Sequence, residues 1–189
     1  MINALVKEIE LTAIENEIIE TIYFGGGTPS LLTQNEIVYL LNAIQKKFIV
    51  SPVAEITLEA NPDDITVENL FQWKTAGINR LSIGIQSFKE EDLQWMNRAH
   101  NLTQAQECIA LAKESGFNNF SIDLIYGTPG LTDEEWKTNV YYVINLKVPH
   151  IACYALTIEP NTALQKMIVQ NKKSNVDTEQ QVRQFLLLM

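Results

Sequence analysis

Apolar and β-branched residues gather in five short runs, at residues 21–24, 55–58, 80–85, 120–125 and 150–156. Runs of this length and composition predict buried strands. Between them the apolar positions take a helical period. Ile37, Leu40, Leu41 and Ile44 fall on one stripe, and Cys108, Ile109, Leu111 and Ala112 on another. Helix starts are marked by Thr33-Gln-Asn-Glu36 and Thr132-Asp-Glu-Glu135, which fit the capping box. Gly77 and Gly116 stand where helices should stop, because glycine accepts the left-handed conformation there.

Strands alternating with helices predict βαβ units and a parallel sheet. A doubly wound open sheet would share that alternation, but it gathers its polar chemistry at one switch point. Here four strand candidates run directly into unusual segments, residues 25–30, 59–64, 86–88 and 123–130, and the fifth runs into 154–160. Polar groups at the carboxyl ends of successive strands favour an α/β partial (β/α) barrel of the TIM type. An amphipathic helix is expected over residues 4–19, where a barrel should open on a strand. The chain ends on the apolar segment 185–189, with no cap and nothing to bury it. The expectation is a piece lacking an upstream strand and a downstream region, with residues 1–160 as barrel core and 161–189 as the start of a helical region.

Composition adds limits more than content. With 46% hydrophobic and 20% charged residues, the 189-residue chain reads as one ordinary globular domain with or without an appendage. No apolar run approaches the roughly 20 residues of a membrane span, and no signal peptide opens the chain, so a cytoplasmic location is expected. A net charge of −9 argues against broad nucleic-acid binding, which normally needs a basic stripe. Cys108 and Cys153 read as two reduced core cysteines. No spacing of His or Cys suits a metal, and none is expected.

Candidate chemistry lies at the strand ends. Gly25-Gly26-Gly27-Thr28-Pro29-Ser30 removes three successive Cβ atoms, so the loop is either a tight turn or a cradle in which the backbone approaches a ligand. It matches neither the phosphate-cradling loop nor the dinucleotide fingerprint. Glu59 can bind a cationic amine or a ribose hydroxyl, or pair with a basic residue of the barrel. Asp63 or Asp64 can cap the helix that follows. Gln86 can read a polar ligand edge. Arg98 is a carboxylate clamp or a solvated surface residue, and for His100 a surface or packing role is favoured over catalysis. Asp123, in an otherwise apolar strand, needs either ligand hydroxyls or a basic partner. Gly127 and Gly130 leave room for something large above the sheet. No nucleophile triad is present.

Taken together, Tyr23-Phe-Gly-Gly-Gly-Thr-Pro-Ser30, Glu59-Ala-Asn-Pro62, Gly84-Ile-Gln-Ser-Phe88 and Asp123-Leu-Ile-Tyr-Gly-Thr-Pro-Gly130 resemble one family. It is the radical S-adenosylmethionine group of oxygen-independent coproporphyrinogen III oxidases and their relatives, the heme chaperones. The resemblance runs from about residue 4 to about residue 160, in the family's order and spacing. It implies a partial (β/α) barrel in which a [4Fe–4S] cluster on three cysteines binds S-adenosylmethionine and reduces it to a 5′-deoxyadenosyl radical. It also implies that Gly26, Gly27, Thr28, Glu59, Gln86, Arg98, Asp123 and Ala155 contact S-adenosylmethionine, with porphyrinogen or heme as the further ligand and an electron-donor protein as partner. The family's CxxxCxxC segment is not in this sequence, so the chain as given is expected neither to bind the cluster nor to cleave the cofactor. Gln86-Ser-Phe88 and Asn97-Arg-Ala-His100 look more like the heme-chaperone branch, which passes on heme, than like the oxidases.

Overall fold

The computed structural model describes residues 1–13 and 17–189. Five strands form one sheet in the order β1-β2-β3-β4-β5: Ile18–Phe24, Ile49–Ala60, Arg80–Gln86, Phe120–Tyr126 and His150–Ala155. All five predicted strands are present. The helices are α1 (Ile2–Leu11), α2 (Gln34–Lys47), α3 (Val67–Ala76), α4 (Glu90–Trp95), α5 (Leu102–Glu114), α6 (Asp133–Asn145), α7 (Ala163–Val169) and α8 (Thr178–Leu186). Among the described residues, no helix is long and apolar enough to cross a membrane. The chain divides into two compact units, Met1–Gly84 with Gln106–Phe120, and Ile85–Ala105 with Ser121–Met189.

In the first unit, β1 pairs in parallel with β2, and β2 with β3. The helix expected over 4–19 is shorter than predicted. Ile18 and Ile19 are strand, paired with Ile49 and Val50, because β-branched residues gain more from a sheet neighbour than from a helical turn. Residues 14–16 of that expectation lie outside the described residues. β2 is longer than predicted. From Ile19 to Thr21 its partner advances two residues while β2 advances five, from Val50 to Glu55, and Pro52 sits in this irregularity, where a missing N–H does no harm. Both Thr33 and Thr132 form full capping boxes, with Glu36 and Glu135 respectively. Gly77 (φ 108) and Gly116 (φ 79) end α3 and α5 as predicted. Ile37, Leu40 and Leu41 of α2 and Leu70 and Trp73 of α3 are buried.

In the second unit β4 pairs in parallel with β5 from Ser121–His150 to Tyr126–Ala155. Trp136 of α6 is fully buried, its ring 5.6 Å from that of Tyr126. Helix α8 is docked by its polar face. Gln180 and Gln184 are its buried residues, whereas Val182, Phe185 and Leu186 are exposed. Of the apolar terminus at 185–189, Leu188 is half-buried and the rest is exposed, while the glutamines take the interior.

Candidate functional site

β1 delivers the glycine loop and β2 delivers Glu59 beside it. Phe24 and Leu58 are partners in register, so the chain leaves β1 at Gly25 beside Glu59, which is still in β2 and paired with Ser82 of β3. Glu59 does not pair with a basic residue in this arrangement. Its Oε2 accepts a hydrogen bond from the Gly26 N–H at 3.0 Å, and its Oε1 accepts one from the Tyr23 hydroxyl at 2.8 Å. The carboxylate therefore ties the loop to both strands. Each carboxylate oxygen accepts more than one hydrogen bond, so capacity remains for a ligand donor.

The three glycines serve two ends. A Cβ on Gly25 would lie 2.7 Å from Cε1 of the Tyr23 ring and 3.0 Å from Glu59 Oε1, so Gly25 is required by packing. Gly26 (φ 80) and Gly27 (φ 67) are required by conformation, since a Cβ on either would meet nothing within 4 Å. Both residues are exposed, so a ligand can approach their backbone. Thr28 is exposed and precedes a short 3-10 turn, Pro29–Leu31. Ser30, which sequence reasoning passed over, donates to Asp64 Oδ2 at 2.6 Å. Neither Asp63 nor Asp64 caps α3 in the expected way. Thr66 does, accepting from the Asn69 N–H, which leaves the Asp64 carboxylate to brace the glycine loop.

In the second unit, Gln86 ends β3 in a left-handed conformation, φ 70, rare for any residue but glycine. Arg98 is half-buried, fixed where α4 ends. The Asn97 N–H donates to Gln94 O and the Arg98 N–H to Leu93 O, with Asn97 at φ 56. This is the Schellman pattern, with asparagine in the place of the usual glycine. His100, expected at the surface or in packing, is buried, and its Nε2 meets Ile85 O at 3.0 Å. Asp123 is half-buried in β4 and Ala155 closes β5.

The room expected above Gly127 is taken by the chain itself. Gln184 Oε1 accepts from the Gly127 N–H, and Gln184 Nε2 donates to Leu131 O. Gln180 Nε2 donates to both Thr128 O and Leu131 O. A Cβ on Gly127 would lie 2.4 Å from Gln181 Cγ. Gly130, by contrast, has nothing within 4 Å of such a Cβ.

Among the described residues, no group of three or more His, Cys, Asp and Glu could hold a metal ion. Burial pushes the Cys108 thiol up to about 12; burial, then the Asp123 charge, pushes Cys153 up to about 11. A [4Fe–4S] cluster of this kind takes three closely spaced cysteines, and the sequence holds two, Cys108 on α5 and Cys153 on β5, so these residues do not fit one. The Gly26–Gly27 cradle and the Glu59 carboxylate do fit the polar head of an amino-acid-like cofactor.

Residues 2–140 match the Radical SAM superfamily. The chain belongs to that superfamily. Within the superfamily it falls in the group of heme chaperones and coproporphyrinogen III oxidase. It is 44% identical over 150 residues to the heme chaperone HemW of Haemophilus influenzae, covering 79% of this chain and 39% of that protein. It is 41% identical over 169 residues to HemW of Buchnera aphidicola, covering 89% and 45%. The chain thus spans less than half the length of these relatives. Its structure superposes on coproporphyrinogen III oxidase HemN of Escherichia coli, a radical SAM enzyme, with a TM-score of 0.83 at 29% identity, covering 98% of this chain and 43% of that one. The predicted α/β partial (β/α) barrel of TIM type is therefore the fold. The archaeal Elp3 of Methanocaldococcus infernus shares it at 20% identity and a TM-score of 0.70.

Proposed function

We propose that this chain holds S-adenosylmethionine on the loop Gly26-Gly27-Thr28 and on Glu59, as part of a heme-handling radical SAM protein. The observation that carries this is the Glu59 carboxylate, bound to Gly26 and Tyr23 beside two glycines that face open space. The loop backbone suits the amino and carboxylate groups of the cofactor's methionine part, and Glu59 suits its amine or ribose hydroxyls. By the family's pattern the same proposal assigns Gln86, Arg98, Asp123 and Ala155 to S-adenosylmethionine. Arg98 suits a carboxylate and Gln86 a polar ring edge. Residues 1–160 then form the cofactor-holding core, and 161–189 begin a helical region. In the family the cofactor supplies a 5′-deoxyadenosyl radical when a cluster is present. The residues of this chain bind and orient it.

Calorimetry with S-adenosylmethionine tests the assignment. The wild-type chain should bind, and Gly27→Val, which forces a β-branched residue to φ 67, should weaken binding by at least about tenfold. No binding by the wild type, or equal binding by the variant, would falsify it.

Between the two activities of the group, identities of 44% and 41% to HemW proteins against 29% to HemN favour heme as the ligand. Porphyrinogen oxidation is the second reading. Titration of the chain with heme, followed by absorbance, is expected to give a saturating complex. In the full-length protein with its cluster, turnover of coproporphyrinogen III without heme binding would reverse the choice.

A further inference from the structure

β3 ends in a three-residue turn with Gln86 at its centre. The Ser87 N–H donates to Ile85 O at 3.0 Å across Gln86, whose φ is 70. A γ-turn of positive φ is strained for a residue with a side chain, and it persists only where the surroundings over-determine it.

Those surroundings are buried and polar. On one side, His100, 3% exposed, places Nε2 3.0 Å from the same Ile85 O. A carbonyl only accepts, so Nε2 carries the proton. On the other side, Ser87, 0% exposed, donates to Asp92 Oδ2 at 2.7 Å and accepts from Asn139 Nδ2 and the Lys89 N–H, each at 3.1 Å. Asn139 Oδ1 accepts in turn from the Phe88 N–H at 3.2 Å. Helix α4 is thereby held at both ends. Asp92 in its first turn is tied to Ser87, and the segment leaving its last turn carries Arg98 and then His100 back to Ile85.

We propose that His100, Ser87, Asp92 and Asn139 are positioning residues that lock Gln86 in this γ-turn. The Gln86 amide is then presented in one preset conformation, and the ligand need not induce it. The value of the lock for binding rests on the reading of Gln86 as a ligand contact. The lock itself does not.

The two parts are separable in the full chain. In labelled protein, the strong intra-residue cross-peak between HN and Hα of Gln86 reports positive φ without any ligand. Wild type and His100→Gln, which keeps an N–H donor, should show it. His100→Leu and Ser87→Ala should lose it at temperatures where circular dichroism shows both still folded. If His100→Leu does not fold, Ser87→Ala and the rescue by His100→Gln decide. Retention of the cross-peak in the folded donor-less variants overturns the lock. Calorimetry with S-adenosylmethionine then tests the consequence. Gln86→Ala and His100→Leu should each weaken binding by roughly three- to tenfold, the effect of one well-placed hydrogen bond, and the double variant by no more than Gln86→Ala alone. Loss of the cross-peak with unchanged affinity in all three sustains the lock and overturns Gln86 as a ligand contact.

Discussion

The amide of Gly127 donates to Oε1 of Gln184 at 2.7 Å, so the loop that follows β4 is closed by a glutamine from α8. Gln184 is fully buried and satisfies the Leu131 carbonyl as well. Replacing it with alanine strands the Gly127 N–H away from water, at about 1–3 kcal/mol, while Leu131 O keeps the hydrogen bond from Gln180 Nε2. Gln184→Ala is therefore expected to lower stability by about 1–3 kcal/mol in urea unfolding. A loss below about 0.5 kcal/mol would show that water reaches the loop beneath α8.

Gly25 and Gly27 are expected to respond differently to the same substitution. Gly25→Ala drives a methyl against the Tyr23 ring and Glu59, so it should break the Tyr23–Glu59 hydrogen bond. Gly27→Ala meets open space and pays only for its positive φ, about 1–3 kcal/mol. Tyr23→Phe removes that hydrogen bond without a clash. Binding of S-adenosylmethionine by Gly25→Ala should thus fall at least as far as by Tyr23→Phe, and a Gly25→Ala chain that binds like wild type would refute the packing role.

These contrasts also mark what the sequence made legible. Both capping boxes and the glycine stops at 77 and 116 were readable because their chemistry is local: a hydroxyl three residues before a glutamate, a glycine after the last turn. Gln86 and Asn97 were not readable as turn residues. Each takes positive φ without being glycine; for Gln86 the stabilising groups are remote, as Asn139 is from Ser87, and for Asn97 they are the local carbonyls of a helix end that asparagine marks less plainly than glycine. The burial of Gln180 and Gln184 carries no local signal, because glutamine is usually solvated. Only the orphan carbonyls of residues 128 and 131 explain their burial. The glycine loop and Glu59 were both visible in sequence, but their hydrogen bond depends on the Phe24–Leu58 register, which alternation alone does not fix.

Glu135 links the α6 capping box to Lys89, with Oε1 2.8 Å from Nζ. The Lys89 hydrogen bond, then those of Thr132, hold its carboxyl down from 4.5 to about 2. A depressed folded value stabilises above the unfolded value and is lost as pH falls through the folded one. Glu135 therefore withdraws its contribution between about pH 4.5 and 2. The carboxylate is 42% exposed, so solvent screening limits the pair to about 1 kcal/mol or less. Glu135→Gln should flatten the acid limb of the stability curve within that window. An unchanged slope would show that the Lys89 pair does not persist in solution.

Asp92 has the opposite sign. Burial raises its carboxyl above the usual range, against the hydrogen bond from Ser87 and the charge of Lys89, which lower it. A raised folded value means that the buried anion opposes folding at neutral pH, and that this opposition fades as pH falls and the folded protein takes up the proton. Asp92→Asn is neutral throughout and keeps a carbonyl oxygen to accept from the Ser87 hydroxyl. The stability of wild type relative to Asp92→Asn should therefore rise as pH falls from 7 towards 4. Asp92→Ala instead removes that acceptor from a buried hydroxyl, at about 1–3 kcal/mol. Denaturant curves of the three proteins across this range decide the point. If the wild-type chain loses ground to Asp92→Asn on acidification, the carboxylate is a net stabilising anion, and burial is not what governs it.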